Sequence, residues 1–246
     1  MKHTINIFVL LLISIAAFGQ HTYQGKIEYE RKTNLKRVIE DMEDDNKEWI
    51  ERIRDKIPTH NVRYYDLNFT TKHSIYKPGR EPEKPFNMWF ARSPANENEV
   101  YTDFTTSRVT ARKHIYEEKF LVKDSARKIE WKVMDEIRMI ANYKCRKAVG
   151  RICDSVYVIA FYTDDIMVSG GPEMFGGLPG MILEIAIPRL HTTWIATQVS
   201  VQPEEDAFKV PKKGKEVTQK EMYTMISTSL ERWGNYAYKA IWWSML

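Results

Sequence analysis

Apolar and polar residues alternate with a period of two over much of the chain. GKIEYERKT, Gly25 to Thr33, puts Ile27 and Tyr29 on one face of an extended segment, which predicts a half-buried first strand. The period then changes. In LKRVIEDMEDDNKEWIERIRDKIP, residues Leu35, Val38, Ile39, Met42, Trp49, Ile50, Ile53 and Ile57 recur at helical spacing, apart from a gap between Met42 and Trp49. This predicts a helix near 35–57 with a polar interruption at Asp44 to Asn46, closed by Pro58.

From Val62 the β pattern returns. VRYYDLNFT and KHSIYKP are rich in aromatic and β-branched residues, and the prolines of KPGREPEKPFNMW predict a loop after them. EVYTDF, RVTARKHIY, KFLVKD and KIEWKVM follow as short strands at the spacing of an antiparallel all-β architecture. NYKCRKAVG and RICDSVYVIAFYT then flank Val149-Gly150-Arg151, read as a tight hairpin turn. Pairing about Val149 sets Cys145 opposite Cys153, so a cross-strand disulfide is expected.

IAIPRL and TTWIATQVSVQ add strands, with Pro188 placing its strand near an edge or a bulge. PEEDAFKVPKKGKEV reads as a polar linker. Thr218 and Glu221 form a capping box ahead of the apolar face Met222, Met225, Ile226, Leu230 and Trp233, which predicts a helix near 218–233. The expected fold is mainly β: an antiparallel curved sheet or open half-barrel with two flanking helices, in the α+β class, a sandwich being the alternative. Seven tryptophans suit a concave apolar interior, and half-barrels of this kind can hold a lipid or an apolar peptide.

The first nineteen residues differ from the rest. One early lysine, an apolar run from Ile5 to Ala17, and small residues at Ala17 and Gly19 read as a signal peptide over 1–19. Residues 20–246 then form a single β-rich domain, exported to the periplasm, with outer-membrane association a further option. The formal charge of +4 is evenly mixed and loses only Lys2 on cleavage, which gives no case for nucleic acid. AIWWSML is too short for a transmembrane segment.

GGPEMFGGLPGMILEI, Gly170 to Ile185, poses the chemical question. It lacks the Lys-Ser/Thr of a phosphate loop, and Pro179 removes an amide that such a cradle uses. Ser169 lacks the upstream glycine of a hydrolase elbow. The histidines are scattered and no metal motif appears, so neither metal nor cofactor is expected. The glycines and Pro179 read as a tight corner that aims MILEI into the sheet. Asp164-Asp165 reads as a turn cap or as an acid/base pair, and Asp165 is kept as a candidate contact for a ligand or partner. Glu184, the other candidate contact, interrupts an apolar run; its face either is wet or lines a cavity, or Glu184 has a buried partner such as an arginine.

Gly177, Leu178, Pro179, Gly180, Met181 and Ile182, followed by Leu183-Glu184, resemble the hexapeptide of the GLPGLI family, with Met181 in place of a leucine. Trp131, Asn142-Tyr143-Lys144-Cys145, Lys147-Ala148, Tyr162 to Ile166 and Gly171-Pro172 extend the resemblance upstream. Met167, where a proline is common, and Cys153 depart from the pattern. The resemblance implies an exported Bacteroidetes protein of unknown function, without catalytic residues to transfer. The expected role is a non-enzymatic binding or accessory protein of the cell envelope, holding an apolar ligand or an envelope partner protein. A metal-handling protein is the alternative, and an uncharacterised hydrolase a more distant one.

Overall fold

The computed structural model describes residues 21–153 and 155–246. The leader reading of 1–19 lies outside them. In the first half of the chain the strands are β1 (Gly25–Asn34), β2 (His60–Phe69), β3 (His73–Pro78), β4 (Glu99–Asp103), β5 (Arg108–Ile115) and β6 (Glu118–Ser125). The second half supplies β7 (Lys132–Ile140), β8 (Tyr143–Ile152), β9 (Val156–Thr163), β10 (Met181–Ile187), β11 (Thr192–Ser200) and β12 (Lys215–Val217). Four helices accompany them among the described residues: α1 (Leu35–Glu40), α2 (Glu43–Ile53), α3 (Gln219–Ser229) and α4 (Asn235–Ser244).

All twelve strands share one open sheet in the order β12-β6-β5-β4-β3-β2-β1-β11-β10-β9-β8-β7. It consists of two meanders, β1 to β6 and β7 to β11, joined where β1 pairs with β11. Every pairing is antiparallel except β12 on β6, so the sheet is mixed. That short parallel strand comes out of the segment read as a polar linker. Neither edge meets the other, and the barrel is not closed.

The predicted alternation is visible in burial. Ile27 and Tyr29 on β1 face the core and their neighbours are half-buried. β5 repeats the pattern through Val109, Ala111, Lys113 and Ile115. β10 instead is buried almost throughout, including Met181, Ile182, Leu183, Ile185 and Ile187. Each such side chain contributes about 1.5–3 kcal/mol on leaving water. A strand buried on both faces belongs inside a sheet, and β10 lies between β9 and β11. Pro188 therefore marks no edge; it starts the 3-10 turn Pro188–Leu190 after the strand has ended.

The helix expected over 35–57 is two helices, and the break falls at Asp41–Met42 rather than at Asp44 to Asn46. Their apolar residues Leu35, Ile39, Met42 and Ile50 close a small satellite core with Ile57, Ala91 and Phe90. The capping box of Thr218 and Glu221 starts α3 as predicted. The expected helix ends early, and Gly234 separates it from α4, which contains most of AIWWSML. Trp243 of α4 lies 5.9 Å from Trp194 of β11, fastening the helix to the sheet.

The predicted turn at Val149-Gly150-Arg151 is not a turn. All three residues lie within β8, with Gly150 opposite Val158 of β9. The glycine answers a packing demand: a Cβ there would stand 2.6 Å from Ile129 and 2.8 Å from Trp131, which cross over it. The chain reverses beyond Ile152 instead. Cys145 therefore faces Arg138 of β7, while Cys153 follows the far end of the same strand. Seven intervening residues of extended chain separate them by about 25 Å, against less than about 7 Å for bridged cysteine Cα atoms. No disulfide joins them.

β7 forms one outer edge. It is exposed from Lys132 to Met139, and its register against β8 slips between Val133 and Ile137.

Candidate functional site

The hexapeptide forms a closed corner. Gly177 has φ +86° and Gly180 φ +144°, values that favour glycine. At Gly180 a Cβ would lie 2.0 Å from the Thr163 carbonyl oxygen, so strand β9 leaves no room for a side chain. The Gly180 amide donates to Leu178 O at 2.8 Å, closing the turn around Pro179. Trp131 Nε1 donates to Gly176 O at 2.9 Å, and the Gly177 amide donates to Ser169 Oγ at 3.1 Å. Leu178, Met181 and Ile182 are buried. The corner delivers β10 between its neighbours, as the sequence predicts, and of its side chains Pro179 alone is exposed.

Just before it, Glu173 enters the interior. Its backbone is left-handed, φ +53°, which is uncommon for a glutamate. The buried carboxylate accepts from Asn98 Nδ2 at 2.7 Å, while Glu173 Oε1 and Asn98 Oδ1 have no hydrogen-bond partner. Lys113 of β5 is fully buried nearby and donates from Nζ to Ser244 O at the end of α4, 3.1 Å away. Burial pushes the Lys113 ammonium down and the Glu173 carboxyl up, each charge opposing the other's shift. Arg31 completes the buried polar layer. Its guanidinium lies 4.9 Å from the Tyr65 ring and 5.2 Å from that of Trp243, and it donates to Ala95 O.

Two clefts open on either side of the segment that links β6 to β7. The larger, about 1270 Å³, runs between α3, α4 and the adjoining ends of β8 and β9. Ile152, Ala237, Ile241 and Met245, all buried, make its floor. Its exposed rim carries Lys128, Lys132, Arg151 and Lys220. The smaller cleft, about 450 Å³, is bounded by Met167 to Gly171 and Met174 to Gly177 on one side and by parts of β3, β4 and β5 on the other.

Arg127 lines both clefts. Its Nη2 donates to Gln219 Oε1 at 3.1 Å and to Met245 O, tying α3 and α4 to the β6–β7 link. Nη1 is sealed from solvent and has no hydrogen-bond partner. Burial works against the guanidinium charge, while Cys153 and Glu173 favour it.

The sequence-predicted site residues do not converge. Glu184 is 6% exposed and its partner is Arg138 of β7, so an arginine does pair with it, but that arginine is itself 44% exposed rather than buried. Burial raises the Glu184 carboxyl and Arg138 opposes the shift. Asp165 is exposed, and its backbone carbonyl receives the Thr22 amide at 2.8 Å. Asp164 is exposed beside it. Cys145 is buried beneath β7, whereas Cys153 lines the larger cleft. Gly177 alone of the hexapeptide borders a cleft, the smaller one. Sequence reasoning missed Arg127, Lys113, Glu173 and Arg138. Lys113 carried a signal, since it occupies an inward position in the alternation of RVTARKHIY. Among the described residues no three of His, Cys, Asp and Glu gather as a metal site, and no helix is long and apolar enough to cross a membrane.

Comparison with other proteins adds a family segment and a fold. No curated protein matches the sequence. The chain is similar to two solved structures of PNGF-II in different crystal forms, with TM-scores of 0.54 and 0.53 at 16% and 18% identity. Each match covers 84% of this chain and 34% or 33% of the other, so the chain spans about a third of the length of those proteins. At that identity the likeness shows the β-rich fold alone. Residues 150–184, from the last residues of β8 through β9 and the glycine-rich corner to Glu184, match the model of a family described as a protein of unknown function, Porph_ging.

Proposed function

We propose that the protein is an exported, non-enzymatic binding or accessory protein of the cell envelope, and that its cleft between α3, α4 and the β8–β9 hairpin holds an apolar ligand or an apolar segment of a partner protein. The observation that carries this reading is the cleft itself, about 1270 Å³ above a buried apolar floor of Ile152, Ala237, Ile241 and Met245. Small-molecule sites occupy about 300–1,000 Å³ and are mostly apolar with a few polar groups; a lipid chain or a short peptide segment suits this larger volume. Export rests on the leader pattern of residues 1–19. Membership of the GLPGLI family rests on the Gly177 to Ile182 hexapeptide and the residues upstream of it. The non-enzymatic reading is supported by the place of Lys113 and Glu173, whose titrations are strongly perturbed: both are sealed in the interior, where they hold α4 and the glycine-rich segment.

A fluorescent apolar probe, N-phenyl-1-naphthylamine, tests the proposal. Wild-type protein should bind it saturably, and Ala237→Trp, which fills the cleft floor, should abolish binding while leaving the far-ultraviolet circular dichroism spectrum unchanged. No saturable binding by the wild type, or full binding by a folded A237W variant, rejects the cleft as the site.

A further inference from the structure

The larger cleft is electrically one-sided. Among the described residues Arg127, Lys128, Lys132, Arg151 and Lys220 line it, against Glu130 and Glu231. The protein as a whole carries 37 basic and 33 acidic residues, so this imbalance is local. Four of the five cations stand on the exposed rim, where their field falls off within about 8–10 Å at physiological salt. Arg127 is different. The residue is half-buried in the wall, and its Nη1, closed to solvent, is a donor without an acceptor. A buried donor left unsatisfied costs about 1–3 kcal/mol, more when it is charged, and a guanidinium is matched best by a carboxylate or phosphate oxygen. Among the described residues Cys153 and Glu173 favour its charge, and Nη1 still has no acceptor.

From these observations we infer that the cleft's ligand is an acidic amphiphile: an apolar chain that lies on Ile152, Ile241 and Met245 and ends in a carboxylate or phosphate that pairs with Arg127 once a small turn of the guanidinium brings Nη1 to the cleft. This rests on the reading of the cleft as an apolar binding site and adds the ligand's charge to it. Non-polar floor and cationic wall act on different parts of one molecule. The chain supplies most of the affinity through burial, and the head group selects acids over neutral chains of equal length.

Calorimetric titration of the full chain with dodecanoate, dodecyl phosphate, dodecanol and inorganic phosphate tests the inference. Both acids should bind about tenfold or more tightly than dodecanol, and the preference should shrink as salt is raised. Arg127→Met should bring acid and alcohol to near parity and leave dodecanol affinity unchanged. Because Arg127 also ties Met245 and Gln219, R127M is accompanied by the rim double variant Arg151→Gln, Lys220→Gln, which should lower the acid preference several-fold at low salt and less at high salt. Dodecanol binding as tightly as dodecanoate overturns the charged head group and leaves the apolar cleft standing. Failure of all three chains to bind overturns both readings. Inorganic phosphate binding as tightly as dodecyl phosphate overturns the amphiphile and makes the site a free-anion site. An acid preference that survives in both R127M and the rim variant also overturns the inference.

Discussion

Arg138 on β7 sets its Nη1 3.1 and 3.0 Å from the two carboxylate oxygens of Glu184 on β10, three strands away. A flat sheet would hold those strands about 14 Å apart, so the contact records how strongly this end of the sheet curls. The guanidinium crosses the Phe161 ring, 3.7 Å from its centroid, on the way. Glu184 is nearly sealed while the Arg138 side chain is 44% exposed, so the pair joins a buried charge to a wet one.

Arg138→Met should strand the Glu184 carboxylate. Breaking buried pairs from one side costs about 3–5 kcal/mol, and the exposure of Arg138 moves the expectation down to about 1–3 kcal/mol. The cost has a pH signature. The folded Glu184 pKa is already raised above its unfolded value, chiefly by burial, so its ionisation removes stability as pH rises between those two values. Without Arg138 that window extends upward. Urea denaturation should show a larger deficit at pH 7 than at pH 5; a deficit independent of pH rejects this account.

Gly177 and Gly180 separate backbone conformation from space. Gly177→Ala meets nothing nearer than 3.8 Å and should cost about 1 kcal/mol for its left-handed φ alone. Gly180→Ala drives a methyl to within 2.0 Å of the Thr163 oxygen and should cost about 4 kcal/mol or more, with loss of soluble yield. Thermal midpoints of the two variants decide the matter, and equal shifts would contradict the close approach.

The cysteines should behave as two unlike thiols. Burial pushes the Cys145 thiol up to about 12, the charge of Glu184 adding to the effect, so iodoacetamide should leave Cys145 unmodified in the native protein at pH 8. Cys153 is half-buried at the wall of the larger cleft and should be modified first. A non-reducing digest that yields a linked Cys145–Cys153 peptide is the result that would refute the strand register.

Asp41 couples α1 to α4 and to the turn after β10. It accepts from Lys239 and, at 2.6 Å, from His191 Nε2. Burial raises its carboxyl, but these two donors outweigh burial and hold the folded pKa below the ordinary value. Its contribution is therefore present above the unfolded value and is lost as pH falls through the folded one. Asp41→Asn should lower the melting temperature at pH 6 and make little difference near pH 2. A variant deficit that persists at pH 2 would assign the effect to something other than the charge.

Local patterns read well from the sequence because their causes are local. The alternation of Ile27 and Tyr29, the capping box of Thr218 and Glu221, and the glycine corner at Gly180 each depend on a few successive residues. Gly150 was misleading because its cause is distant: Ile129 and Trp131 lie against it, and a strand glycine kept for close packing looks like a turn glycine in one dimension. The Cys145–Cys153 pairing failed with it. The same limit hides the polar interior. Lys113 meets Ser244, Glu173 meets Asn98, and Arg127 meets Gln219, across separations that no spacing rule spans. Glu184 was half legible, since its apolar neighbours demand a partner but do not say which strand provides it.

The register slip in β7 also governs how copies of this molecule meet. An exposed edge bearing Val133, Ile137 and Met139 would ordinarily invite another chain to zip onto it. Between Val133 and Ile137 the outward amides and carbonyls fall out of phase, so an approaching strand finds no long uninterrupted ladder to join. Backbone geometry thus works alongside the exposed charges of Lys132, Asp135 and Glu136 to keep crowded copies apart. Light scattering should remain linear with concentration at high salt, and a steep upturn there would show that the edge does zip.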